Sequence, residues 1–526
     1  MKALANLAGR IDDFLNPIVV KELRQAVRSR FVSGILMLML IVQFAVVGIY
    51  VMFRPAEAVS FSEGRQINSI LYGILLFSCI LFVPLYAGVR LAWERTETQM
   101  DLMYTTTISP GSIVRGKLFG AAVVTVLIYS ACMPFMTFTY LLRGVDLPTV
   151  FFLLAIGFVQ VLAASQFTIF VACIPTSRIF KVFLGLATFI GLWIWAGMGT
   201  ALLSLEFFRG GTIYGGWDWW SVALTLLGLT ALGIGLLYVL SVAMISPASS
   251  DRMRPVRFYL MALWLITGAL AAAWSWGSSQ WVPWEAWTNT WAFGLAFLFP
   301  IVLSERESWG PRIRSAVPQS IPGRAVAILF TTGAVSGFVW TFLMLLLTWT
   351  ACVTVTDAFR DYGLVPGAPS ANGSPAITGI ALYGMAYSLT AVLLRKLLGL
   401  AKLNIPPGYT WLIAFLMMSI GSVAPYVLCF FLYYNDGPAV IFQDRVWIVT
   451  SPMMVLQKEF RTGRLIFAAC WAGAAFVAAA PLLFRQIAAF RPLEPPASAS
   501  ATTDAPPHPV RGGPADLPRD AAPPDA

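Results

Sequence analysis

The feature that most constrains this chain is a succession of apolar runs, each close to twenty residues or longer, separated by polar stretches. A hydrocarbon core about 30 Å thick needs roughly 20 apolar residues per helix. On that measure twelve spans are expected, near 31–53, 67–90, 118–142, 149–173, 182–204, 220–245, 258–276, 287–304, 325–350, 377–394, 411–434 and 465–484. The runs are too long and too continuous for barrel strands, which alternate over about ten residues. Hydrophobic residues make up 58% of the chain and charged residues only 11%, where a soluble domain is about a quarter charged. A water-soluble core is excluded. The expected fold class is an all-α polytopic membrane protein with about 12 transmembrane helices, preceded by an amphipathic interfacial helix.

Basic residues orient the spans. With the N-terminus inside, 26 of the 35 Lys and Arg fall in inner segments and 9 in outer ones, which puts both termini in the cytoplasm. Loop 435–464 dissents: it is assigned outside yet carries Arg445, Lys458, Arg461 and Arg464. Either it holds a re-entrant piece around VWIVTSPMMVL or the span count near the C-terminus is off by one. Trp217, Trp219, Trp220, Trp276, Trp281, Trp284 and Trp287 cluster in or beside two outer loops. There amphipathic rings favour the headgroup layer, and an interfacial belt is expected.

Four regions follow. Residues 1–30 form a basic amphipathic helix, and 31–246 a six-span core with a cytoplasmic loop at 94–117. Residues 247–484 form a second six-span region of unassigned role, and 485–526 a Pro/Ala-rich tail. That tail lacks the apolar surface to offset its chain entropy, so disorder is expected there.

In the opening helix, Asn16 can cap and Pro17 suits the first helical position. At 100° per residue, Val19, Leu23, Ala26 and Val27 share one face, with Lys21, Arg24 and Arg28 roughly opposite. The pattern fits a helix in the membrane interface, or a plain basic anchor before the first span. The loop, ERTETQMDLMYTTTISPGSIVRGK, is polar and closed by Ser109-Pro110-Gly111.

Within it, Gly111 to Lys117 has the G-x-x-x-x-G-K spacing of a phosphate-cradling loop. Leu118 stands where that loop needs a hydroxyl, no apolar strand precedes it, and a membrane span follows. The expected role is a basic return into the membrane, with Arg115 and Lys117 at the cytoplasmic interface.

No ionisable residue lies near the middle of any span, where proton- or sodium-coupled carriers need one. Gln160 and Gln166 in the fourth span sit about 120° apart around the helix, so separate helix–helix hydrogen bonds are expected rather than a shared site. Gly191, Gly197, Pro84 and Pro134 are candidate flex points, and EFFRGGTIYGGWDWW after the fifth span a candidate re-entrant gate. The six cysteines lie in or at the edge of spans without paired spacing, as small buried hydrophobes. The one histidine, His508, is in the tail. No metal or cofactor is implied.

The first half resembles the type-2 ABC exporter permeases of prokaryotes. It has the N-P-x-x-x-K-E-L-R helix of that family, here Asn16, Pro17, Lys21, Glu22, Leu23 and Arg24. It also has an E-R…T…L…T…S-P…G-K loop, here Glu94, Arg95, Thr98, Leu102, Thr106, Ser109, Pro110, Gly116 and Lys117, and the turn Arg143-Gly144-Val145-Asp146 after the third span. The resemblance covers about residues 12–246.

What it implies is a membrane permease in the prokaryotic cell (inner) membrane, moved by a separate ABC ATP-binding subunit that grips Glu94, Arg95, Thr98, Leu102 and Thr106. Lys21, Glu22, Arg24 and Arg28 would lie on the interfacial helix. The chain would work as a homodimer or heterodimer with a second permease, among membrane lipids and without nucleic acid, and would hydrolyse no ATP itself.

Six further spans depart from the family pattern. Lys458-Glu459-Phe460-Arg461 echoes Lys21-Glu22-Leu23-Arg24 but does not establish a repeat. The alternatives are an enzyme acting on lipid-linked sugars, or a non-transporting scaffold. That enzyme needs acidic residues in a sizeable first outer loop, and the loop near 54–66 offers only Glu57 and Glu63.

Overall fold

In the computed structural model the described residues are 17–53, 61–94, 109–142, 145–175, 178–208, 217–247, 249–365, 375–432, 449–452 and 461–492. Among them every regular element is helical. In the first half these are α1 (Pro17–Val27), α2 (Arg30–Phe53), α3 (Phe61–Glu94), α4 (Pro110–Leu141), α5 (Leu147–Cys173), α6 (Arg178–Phe208) and α7 (Trp217–Ile245). In the second they are α8 (Met253–Ser278), α9 (Val282–Leu303), α10 (Pro311–Ser315), α11 (Ile321–Phe330), α12 (Ala334–Asp361), α13 (Pro375–Leu400), α14 (Thr410–Leu432) and α15 (Arg461–Ala489). Twelve of them are long and apolar enough to cross a membrane. The chain is an all-α, multi-pass membrane protein. Helices suit that solvent because each satisfies its own backbone polar groups.

The first six spans pack on one another around α3 and α5. Leu71, Leu75, Leu76 and Ile80 of α3 are fully buried. Tyr72 donates to the Leu153 carbonyl at 2.7 Å and Thr168 to the Pro84 carbonyl at 2.9 Å, tying α3 to α5. The last six spans repeat this pairing. α3 packs against α4, α5 and α6, and α5 against α7; correspondingly α9 packs against α12, α13 and α14, and α13 against α15. The principal contact between the two groups is the α7–α8 hairpin. There Tyr259 donates to the Leu232 carbonyl at 2.8 Å and lies where Gly235 has no side chain.

Eleven spans fall close to the expected runs. The ninth does not: the apolar run at 325–350 is cut, leaving α11 as a separate short helix and starting α12 at Ala334. The break is held from elsewhere in the chain. Asp251 accepts from Thr332 N–H at 2.8 Å and from its hydroxyl at 2.6 Å. Glu305 accepts from Gly333 N–H at 2.7 Å. The Trp309 ring occupies the place a Gly333 side chain would take and donates to the Thr332 carbonyl at 2.9 Å.

Two further expectations need correction. Trp284 and Trp287 are buried, not interfacial, and form a cluster with Phe359 and Val365. Their indole surface is large enough to make a core between α8, α9 and α12, and Trp287 donates to Thr267 at 2.9 Å. Trp276 remains exposed. Cys470 is exposed on α15, whereas Cys79, Cys132, Cys173, Cys352 and Cys429 are buried.

The amides in α5 bond separately, as their angular spacing requires. Gln160 accepts from Trp195 of α6 at 2.9 Å, and Gln166 donates to Ser241 of α7 at 3.2 Å. Gly191 and Gly197 on α6 face open space.

In the segment before α15, residues 449–452 touch the middle of two spans. Tyr383 donates to the Val449 carbonyl, Tyr387 donates to the Thr450 carbonyl at 2.7 Å, and Thr450 donates to the Gly421 carbonyl at 3.0 Å. Gly421 lies midway along α14, so these residues sit against the middle of the bundle. Residues 209–216 of the candidate gate, residues 458–460 of the echoed tetrapeptide, and the tail from 493 on lie outside the described residues.

Candidate functional site

The helices on either side of the loop that follows α3 meet in one ionic cluster. α3 runs on to Glu94, the last described residue before the loop. On the far side Ser109 caps α4: its hydroxyl accepts from the Ser112 N–H at 3.3 Å, and Pro110 takes the first helical position, where its missing N–H costs nothing. The stretch from Pro110 to Lys117 is therefore the first two turns of α4 rather than loop. Gly111 to Lys117, with the spacing of a phosphate-cradling loop, is helical throughout.

Two turns into α4, Lys117 is 3% exposed. Its Nζ lies 2.7 Å from Glu22 Oε1 of α1 and 2.7 Å from Glu94 Oε2 of α3. Arg90, one turn before Glu94, completes the set: its Nε is 3.4 Å from Glu94 Oε1 and 3.7 Å from Glu22 Oε2. Its Nη1 also donates to the Tyr86 hydroxyl at 2.7 Å. Two acids and two bases alternate and cancel, which is how a buried charge is tolerated.

Lys117 was expected at the cytoplasmic interface; it is inside the protein instead. The reason is α1, which packs across α4 and brings the buried Glu22 over Gly120. Arg115 stays exposed, its Nε donating to the Gly111 carbonyl at 3.4 Å.

The predicted site residues thus separate. Glu22 and Glu94 meet at the cluster. Lys21, Arg24 and Arg28 are exposed on the outer side of α1, which turns Glu22 and Ala26 toward the protein. Arg95, Thr98, Leu102 and Thr106 lie outside the described residues. Arg90 was missed by sequence reasoning, although its four-residue spacing from Glu94 is the signal of a helical ion pair.

The same end of the bundle carries two further ionic groups. Arg257 at the start of α8 is 3% exposed and donates to the Thr331 carbonyl at 2.6 Å, the Leu329 carbonyl at 3.0 Å and both Glu305 oxygens at 3.1 and 3.2 Å. Burial pushes the Glu305 carboxyl up, and Arg257 and the Gly333 amide offset this only in part. Glu307 takes Lys396 at 2.8 Å and Arg395. Burial alone would raise its carboxyl as well, but the hydrogen bonds from Lys396 and Arg395 hold it below the ordinary range. Among the described residues no group of His, Cys, Asp and Glu has the arrangement to hold a metal ion.

Compared with protein-family models, curated proteins and solved structures, the chain matches none.

Proposed function

We propose that this chain is the membrane permease of an ATP-driven exporter, worked by a separate ATP-binding subunit that docks on the loop between α3 and α4. One observation carries the reading: Lys117 pairs with Glu94 at the start of that loop and with Glu22 of α1. A force on the loop would act on α1, α3 and α4 together, as a coupling element must. The absence of ionisable groups at mid-span agrees with energy supplied by another subunit. We place this end on the cytoplasmic side, because 26 of the 35 Lys and Arg fall in segments there, and the membrane is taken as prokaryotic from the family resemblance.

The test is purification of the full chain with its native partners, beside Leu102→Asp in the loop. The expected result is a co-eluting ATPase that is lost from the variant. No ATPase with the wild-type chain, or equal recovery with both, overturns the reading. Metal-dependent sugar transfer by the purified chain would favour the lipid-linked enzyme, and neither activity would favour a scaffold.

A further inference from the structure

The second half holds a cavity of about 590 Å³ at the end of the bundle that carries the ionic clusters. It lies between the start of α8 and the short helices α10 and α11. Its wall is apolar and includes Phe258, Val326 and Phe330, with the Phe258 and Phe330 rings stacked at 4.1 Å and nearly parallel. Two arginines line it as well, Arg254 from α8 and Arg312 from α10. Both are exposed, and among the described residues neither guanidinium has an ion-pair or hydrogen-bond partner. The one acid in the lining, Asp251, is engaged by the amide and hydroxyl of Thr332.

A greasy cleft with unpaired guanidinium groups, placed where membrane-length helices end, matches a ligand with an acyl chain and an anionic head. Arg is suited to such a head because its planar fork meets phosphate oxygens two at a time. Exposed apolar residues on α11, Ile321 at 76% and Val326 at 59%, also fit a helix lying among lipids rather than in water. A soluble anion would use the arginines but leave the aromatic wall unmatched. A zwitterionic lipid would fill the wall but bring its own cation to the arginines.

We propose that this cavity is a binding site for an anionic phospholipid of the surrounding bilayer, with Arg254 and Arg312 holding the phosphate and the Phe258–Phe330 wall holding the first part of an acyl chain. The site is independent of the loop between α3 and α4 and of the exporter reading.

The test uses the full chain in detergent, titrated with fluorescent phosphatidylglycerol and, separately, fluorescent phosphatidylcholine. Wild type should bind phosphatidylglycerol more tightly. The double variant Arg254→Gln/Arg312→Gln should weaken that binding about tenfold or more, as the loss of two interfacial charges implies, and leave phosphatidylcholine unchanged. Both arginines are exposed and unpaired, so folding should survive, as a single size-exclusion peak would show. Ala327→Phe, which fills the cavity from α11, should weaken phosphatidylglycerol binding with the arginines intact. Equal binding of the two lipids by wild type, or undiminished phosphatidylglycerol binding in either variant, overturns the proposal. Inorganic phosphate competing as well as the lipid also overturns it, in favour of a soluble anion.

Discussion

Lys117 Nζ and Glu22 Oε1 lie 2.7 Å apart, joining helices nearly a hundred residues apart in sequence inside a site from which water is almost excluded. Removing Lys117 leaves the buried Glu22 with Arg90 alone, at 3.7 Å.

Lys117→Met is expected to destabilise the protein by about 3 kcal/mol, because the buried Glu22 carboxylate loses its nearest cation and keeps only Arg90 at 3.7 Å. Adding Glu22→Gln should recover part of that loss, since the stranded charge goes with it. Thermal unfolding of the single and double variants in detergent checks this. Simple additivity of the two substitutions would show that the residues are not coupled.

Gly384→Ala should force α13 away from α9, because the new methyl would meet Ala296 Cβ at 3.0 Å and its carbonyl at 3.1 Å. The expected cost is about 1–3 kcal/mol. Gly191→Ala and Gly197→Ala meet nothing and should match or exceed wild-type stability, by up to about 1 kcal/mol from helix propensity. If those two glycines are flex points, their variants lose transport while keeping their melting temperature.

Acid should act oppositely on two neighbouring carboxylates. Folding favours ionised Glu307, whose pKa is depressed. Its contribution is complete above the ordinary carboxylate value, about 4.3, and is lost as pH falls through the depressed value. Folding disfavours ionised Glu305, whose pKa is raised, so its contribution is complete below the ordinary value and declines as pH rises through the raised one. The stability deficit of Glu307→Gln at neutral pH should shrink on acidification, and that of Glu305→Gln should not. Melting curves of both variants from neutrality to well below the ordinary carboxylate value decide the matter.

The orientation can be read with single cysteines in a cysteine-free background. Thr212→Cys and Ser279→Cys should react with a membrane-impermeant thiol reagent on intact cells, and Thr105→Cys and Gln319→Cys only after lysis. Labelling of Thr105→Cys from outside would put the loop on the wrong side for any cytoplasmic ATPase.

Apolar run length made the helical spans legible, because in lipid a run of that length has few alternatives. The separate roles of Gln160 and Gln166 were legible for a related reason: angular position on a helix follows from spacing alone. The break at Thr331 to Gly333 was not. Threonine and glycine are tolerated within spans, and the groups that open this helix, Asp251, Glu305 and Trp309, come from other segments of the chain. Lys117 was placed at the interface because it stands at the edge of an apolar run. Its burial depends on Glu22, about a hundred residues earlier, and no local pattern carries that information. Trp284 and Trp287 were misplaced likewise, since an indole near a span end suits the headgroup layer and a helix junction equally well.

The contact between α7 and α8 has a mechanical consequence. The two groups of six helices share one main seam, and on it a tyrosine hydroxyl from the second meets a backbone carbonyl of the first, in a recess kept open by Gly235. A seam of that kind behaves as the spine of a book. Each leaf is stiff through its own packing, and relative motion of the leaves would concentrate along one line. Tyr259→Phe would loosen that line without touching either leaf, so a change in how the halves swing would be felt there before either half lost its order.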